Sequence, residues 1–532
     1  MPLSSERGFS YVPQPIQKRH IISNERYKIL SSPKSIQSSA KSASAVSVSV
    51  VKLKQSALRQ IPSKSTWTPK KYLLLALGIV ACVILAIAIA TAVVFGRKQG
   101  TITATTTTAG PVTSAFWSFD NITQDLYNVY NGQLVSGATY YTSPSNNQAA
   151  TPVGGVGQTL YLTASLNQSV IIRSPFFNLS YTSFTLEAWI YPVSLSGDND
   201  IFGQCESTTG VNLCLYMILR SSRLFMGFSP NYLSGVTIIS TNTWSHVAYV
   251  YNYATGQQLM YLNGYLDIAQ SNVDPYQGQN GSITIGRSSI LRGSNFFDGY
   301  IDNLALTTRA KSSTEILNDA TLKFYFSFDN PTPSLDGSSN SLNGTISNAA
   351  TVRGRVNEAL RFNGASSYFQ MYGFYQWGFT TAKPFSIALW VNPVLLVGGV
   401  LVHMSDSATV SYGHCLILMG LTSGGQIMLQ AWYSNYPSVV GPQLSVNTWT
   451  HIVYTYSSTN GVQLYVNGIF SGSTSSPSFS SSGYVNYINV GSNLGCCGCV
   501  NIPGTVFQGS LDELYVYKRE LTSTEVSALA NP

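Results

Sequence analysis

The sequence predicts an all-β protein: two tandem antiparallel β-sandwiches behind one membrane-spanning α-helix and a disordered N-terminal tail. Three observations carry this. Residues Tyr72–Gly96 form an uninterrupted apolar run, five short motifs recur in order about 205 residues apart, and the repeated part alternates apolar and polar residues with a period of two.

Residues 1–71 come first. They are rich in Ser, Lys and Gln, and hold 13 Lys and Arg against two acids. Such a composition cannot bury enough apolar surface to offset ordering entropy, so a disordered basic tail is expected. The basic balance of the chain resides there and at the membrane edge: residues 99–532 carry 14 Lys and Arg against 20 Asp and Glu. A nucleic-acid partner is therefore not expected, whereas anionic lipid beside the tail is.

Residues 72–96 contain no charge and no proline. As a helix they would span about 37 Å, enough to cross a hydrocarbon core of about 30 Å with some tilt. Lys52, Lys54, Arg59, Lys64, Lys70 and Lys71 precede the run, and only Arg97 and Lys98 follow closely. That asymmetry predicts an uncleaved signal anchor at the plasma membrane, with the N-terminus cytoplasmic and the C-terminus outside. Gly78, Cys82, Ala86 and Ala90 form a row of small residues compatible with homodimerisation through the helix. Residues 97–114, rich in threonine, read as a stalk.

The duplication follows. Phe116-Trp117-Ser118-Phe119-Asp120 returns as Tyr325-Phe326-Ser327-Phe328-Asp329, and the Phe184–Pro192 stretch as Phe385–Pro393. Asn242-Thr243-Trp244-Ser245-His246 returns as Asn447-Thr448-Trp449-Thr450-His451, Asn263-Gly264 as Asn467-Gly468, and Gly299–Asp302 as Gly509–Asp512. The repeat is a whole domain, giving units 115–320 and 321–532. Leu322, Phe324, Phe326 and Phe328 alternate with polar partners, the mark of a strand with one buried face. The Asn-Gly pairs predict type I′ hairpin turns, whose central residues need positive φ. Single short helices are expected at Ser312–Asp319 and Thr522–Ala530.

Six of the seven cysteines, Cys205, Cys214, Cys415, Cys496, Cys497 and Cys499, lie on the predicted outside, as do the sequons at Asn121, Asn167, Asn178, Asn280 and Asn343. Disulfides and glycosylation are expected there. Cys205 and Cys214 flank a turn-like run and are expected to pair. Cys415 aligns with Cys214 while Asp406 aligns with Cys205, so Cys415 is expected to reach the 496–499 cluster.

Taken together, the opening aromatic strand ending in Asp120 or Asp329, the Trp189 or Trp390 strand before a proline, the Trp-x-His strand, the Asn-Gly turn and the closing Gly-x-Ile/Leu-Asp resemble the LamG-like jelly-roll domain of the concanavalin A-like lectin/glucanase superfamily. The resemblance covers residues 115–530 and implies two jelly rolls of curved antiparallel sheets that bind extracellular carbohydrate or protein in cell adhesion. It also implies calcium as a candidate ligand, with Asp120, Asp302, Asp329 and Asp512 as the candidate metal residues; no cofactor is otherwise required. The competing roles for those aspartates are turn caps and backbone-amide acceptors.

An enzyme is not expected. Retaining glycosidases need two carboxylates about 5 Å apart. No Glu-x-Asp-x-Glu strand occurs, Glu187 is replaced by Ala388 in the second copy, and no catalytic residue is assigned. Trp244 and Trp449 read as core anchors, and His246 and His451 as histidines hydrogen-bonded inside the sandwich. A glycosylated surface-coat spacer is the alternative function, and a glycoside hydrolase the more distant one. An exposed aromatic patch among the loops of one rim would separate binder from spacer. Those loops are where the copies differ most, 196–212 from 397–413 and 269–281 from 471–486.

Overall fold

The computed structural model describes residues 112–142, 157–289, 295–374, 381–409, 414–475, 478–480, 482–495 and 501–532. The predicted tail, the apolar run Tyr72–Gly96 and residues 97–111 of the stalk lie outside the described residues. Among those described, no helix is long and apolar enough to cross a membrane.

From Ser114 the chain forms two sandwiches within one compact unit. In the first, an eight-stranded sheet runs in the order Tyr265–Gln270, Gln257–Leu262, Ser245–Asn252, Phe184–Pro192, Gly299–Thr307, Thr159–Leu162 and Thr139–Tyr141, with Ser114–Trp117 also paired to Gly299–Thr307. A seven-stranded sheet packs against it in the order Asn231–Ser234, Arg223–Phe228, Cys214–Arg220, Asn199–Cys205, Ile283–Ile285, Ser169–Ile172 and Gln133–Val135. The second sandwich again has sheets of eight and seven strands, with Gly509–Tyr517 beside Phe385–Pro393 as Gly299–Thr307 lies beside Phe184–Pro192. Every strand pair within these sheets is antiparallel.

Alternation places the core. Trp117 and Phe119 are fully buried in the first sandwich, and Phe324, Phe326 and Phe328 in the second, between the sheets. The buried Trp117 indole places its donor on the Tyr130 carbonyl at 2.8 Å. Both Asn-Gly turns adopt positive φ at both residues, 52° and 87° at Asn263-Gly264 and 50° and 80° at Asn467-Gly468. Each turn asparagine then accepts a bond from the backbone N–H of the facing histidine, His246 or His451, at 2.9 Å.

Helices α1 (Ser313–Thr321) and α2 (Ser523–Leu529) close the two sandwiches. Ser312 and Thr522 cap them, and Glu315 and Glu525 complete reciprocal capping boxes. No linker separates the copies: α1 ends at Thr321 and the opening strand of the second sandwich starts at Leu322. Lys518 of the second sandwich reaches back, its Nζ 4.2 Å from the centre of the Trp189 ring.

Candidate functional site

The four aspartates are spent largely on backbone. Asp120 accepts from Gln158 N at 2.9 Å and Asp302 from Asn303 N at 3.0 Å. Asp329 accepts from Glu358 N at 3.0 Å, and Asp512 from Arg355 N at 2.8 Å and Val356 N at 3.0 Å. Asp329, just past the opening strand, and Asp512, on the closing strand, thus converge on one turn, Gly354 to Glu358. The opening and closing strands are neighbours in both copies. Among the described residues, however, no group of three or more His, Cys, Asp or Glu side chains could hold a metal ion.

Cys205 and Cys214 face each other across neighbouring strands and form a disulfide, with Cα atoms 4.0 Å apart. Cys415 is also disulfide-bonded. Its partner, like Cys496, Cys497 and Cys499, lies outside the described residues. One alignment is corrected: the strand register sets Ser405, not Asp406, opposite Cys415. All five sequon asparagines are exposed.

Two further corrections concern the Trp-x-His stretch. Trp244 and Trp449 precede their strands and are half-buried, so they are not core anchors. Among the described residues the buried tryptophans are Trp117, Trp189 and Trp390. Second, His246 and His451 are buried, but against the Trp189 and Trp390 rings, at 5.2 and 5.1 Å, and Nδ1 of each has no hydrogen-bond partner. Burial drives both imidazoles down to a pKa of about 3, so both are neutral.

Glu187 is no free acid. It lies buried with its carboxylate on Lys311 Nζ, which also meets Asp319 at 3.0 Å. Burial alone would lower the Lys311 pKa; Asp319 and Glu187 outweigh it and hold the ammonium above its ordinary value.

The discriminating aromatic patch stands at one rim of the second sandwich. The strands Gln426–Gln430 and Ser438–Gln443 are joined by seven residues, Ala-Trp-Tyr-Ser-Asn-Tyr-Pro, where the first sandwich has only Ser229-Pro230. The loop is shaped by its own bonds, Ala431 N to Pro437 O at 2.9 Å and Tyr436 N to Tyr433 O at 2.9 Å, and tied down by Ser480 N to Trp432 O at 2.7 Å. Trp432 and Tyr436 rest partly on the core, while Tyr433 is exposed. His414, at the head of the strand Cys415–Leu421, lies 5.7 Å from the Trp432 ring and 5.9 Å from Tyr484, half of which is exposed. Asp406 Oδ2 fixes this histidine twice, through Nδ1 at 3.1 Å and through its backbone N–H at 3.0 Å. In a neutral ring with Nδ1 donating to the carboxylate, Nε2 is an acceptor. The result is three rings in a row, with a fixed histidine in the middle and a carboxylate behind it. Aromatic faces take the apolar faces of a ligand, and a few placed polar groups fix its orientation.

The first sandwich lacks this. Leu213 and Glu206 stand where His414 and Asp406 do, joined by the same backbone bond. Its aromatic row is elsewhere: on the outer face of the eight-stranded sheet Tyr141 and Tyr161 both pack on Tyr300, Tyr300 meets Tyr191 and Tyr191 meets Trp244, with these centroids 4.9–5.5 Å apart. At the rim opposite Cys205 it also has a polar cleft of about 460 Å³ between the loops 163–167, 194–199 and 295–298.

Such tandem sandwiches, with loop-borne aromatic and polar groups, define a class of lectin-like β proteins. The profile of the Laminin_G_3 family, described as the concanavalin A-like lectin/glucanases superfamily, matches residues 165–317 and 363–527, and the chain belongs to that family. No curated protein matches. Among solved structures, domain 4 of the GH43 extracellular arabinanase AbnA from Geobacillus stearothermophilus, in complex with arabinotriose, is 22% identical over 40% of this chain and 98% of that one, with a TM-score of 0.28. Mouse laminin alpha1 domains LG4-5 are 12% identical over 72% and 94%, with a TM-score of 0.21. Trypanosoma rangeli sialidase in complex with the inhibitor DANA is 12% identical over 70% and 60%, with a TM-score of 0.31. Likenesses at these scores carry no argument about function.

Proposed function

We propose that this chain is a single-pass surface protein whose second sandwich binds extracellular carbohydrate at the Trp432–His414–Tyr484 rim, without catalysis. The observation that carries this reading is the ring row itself, built on an inserted loop and set around a histidine that Asp406 orients. The signal anchor at 72–96, with the C-terminus outside, supplies the location, and adhesion is the role that fits a binder held off a membrane. The aromatic rows occupy different faces in the two copies, which supports different ligands on one fold. Glu187 held by Lys311, which also holds Asp319, supports a binder rather than a hydrolase, since both acids are spent on one cation. The four aspartates, bound to backbone amides, support binding that needs no calcium. A glycosylated spacer is the second reading, favoured by five exposed sequons.

The test is a glycan array probed with secreted residues 112–532, with and without a calcium chelator. Trp432→Ala should weaken the strongest signal by about 2 kcal/mol, roughly 30-fold, as loss of a central aromatic anchor does. Binding to no glycan, or a Trp432→Ala variant indistinguishable from the parent, would leave the spacer reading.

A further inference from the structure

The polar cleft of the first sandwich contains one of the sequon asparagines. Asn167 ends the single 3-10 turn Ala164–Leu166 in the left-handed region, at φ 55° and ψ 39°, with its backbone N–H on the Ala164 carbonyl. It is exposed, and it lines the cleft, as do Ser194 and Ser196. No hydrogen bond to another described residue holds that side-chain amide. The other sequons differ. Asn178 Oδ1 accepts from Ser180 N and Oγ, at 3.0 and 2.7 Å, and Asn343 Oδ1 from Asp336 N at 3.0 Å. Neither these two nor Asn121 and Asn280 line the cleft.

We propose that Asn167 carries an N-linked glycan whose first sugars fold back into this cleft and stay there. Attachment joins Asn167 Nδ2 to the anomeric carbon of an oligosaccharide delivered on a lipid diphosphate. The anomeric C–O bond breaks, the diphosphate leaves with its electron pair, and the amide gives up one proton to the base of the transferring enzyme. The cleft that Asn167 lines suits an N-acetylhexosamine. Asp198 and Asp298 offer acceptors for hydroxyls, and Asn199 and Asn295 offer both donors and acceptors. The nearly buried Phe296 supplies an apolar surface for an acetyl methyl. The walls are already fixed: Asp198 is paired with Arg220, through Nε at 2.9 Å and Nη2 at 2.5 Å, and Asp298 accepts from Ala164 N at 3.3 Å. A volume of about 460 Å³ is within the ~300–1,000 Å³ of small-ligand sites. Seated there, the sugars would tie three loops of one rim together. The inference rests on residues 112–532 passing through the secretory lumen, and is independent of the ring row in the second sandwich.

The full chain, made in a eukaryotic secretory host, would be treated in its folded state with a peptide-N-glycosidase, and release followed site by site by mass spectrometry. Release from Asn167 should be about tenfold slower than from Asn280, because the enzyme acts only on the undocked fraction, and the difference should vanish after denaturation. Ser194→Ala with Ser196→Ala, and separately Asp298→Ala, should speed release at Asn167 alone. Asn167→Gln should lower Tm more than Asn280→Gln does. An Asn167 without glycan while other sequons carry one, or one released as fast as Asn280 from the folded protein, overturns the proposal. Sequons bare throughout would overturn the secretory placement with it.

Discussion

Where α1 meets the first sandwich, a buried Glu187 joins the half-buried Lys311 and Asp319; where α2 meets the second, Ala388 packs with Leu521 and Leu529. The frame is the same. In each copy a hydroxyl, Thr185 or Ser386, donates to the carbonyl of Arg309 or Arg519 and accepts the N–H two residues on, at 2.8–3.0 Å. In each copy that arginine pairs with the capping glutamate at 2.7 Å. Helix and sheet therefore meet identically, and only the filling differs. An ion cluster and an apolar cluster are alternative solutions to one packing problem, because desolvating charges costs nearly what their attraction returns.

Breaking the ionic filling should have the largest effect. Lys311→Ala leaves Glu187 buried beside Asp319 with no cation, and should cost about 3 kcal/mol in denaturant unfolding. Leu521→Ala would remove only apolar contacts. If the two variants unfold at the same denaturant concentration, the ion cluster is not what holds α1. Exchanging the filling whole should do less. Glu187→Ala with Lys311→Leu and Asp319→Leu copies the second sandwich, and should leave stability unchanged or raise it by about 1 kcal/mol. A loss as large as that of Lys311→Ala would mean that the frames differ after all. A control on the frame comes last. Ser312→Ala and Thr522→Ala each remove a cap and should each cost about 1 kcal/mol by thermal or denaturant unfolding. Unequal costs would show that the caps carry different loads.

Much of this was legible in the sequence because it is local. The capping boxes need Ser312 and Glu315, or Thr522 and Glu525, three residues apart, and the type I′ turns need only Asn-Gly. The duplication was legible because five motifs kept their order. The ring row was not, since His414, Trp432 and Tyr484 come from three loops spread over 70 residues. A signal for it existed: aromatic residues at 432, 433 and 436 stand in a segment that the first copy lacks. Trp244 is not a core anchor because the alternation that marks the strand starts after it, at Ser245. The ion cluster joins residues 124 apart. Its trace was the joint change of Glu187, Lys311 and Asp319 to Ala388, Leu521 and Leu529, which the repeat displays once the partners are known.

The strand that starts each sandwich lies against the strand that ends it, Ser114 opposite Thr307 and Leu322 opposite Tyr517. A unit whose way in and way out are adjacent can be copied in series without rethreading any sheet. Joining two such units takes only one helix end and one strand start, here Thr321 and Leu322. Each copy closes its own sheets, so one frame carries the longer 431–437 loop and the other the Glu187–Lys311–Asp319 cluster without disturbing its neighbour's pairing.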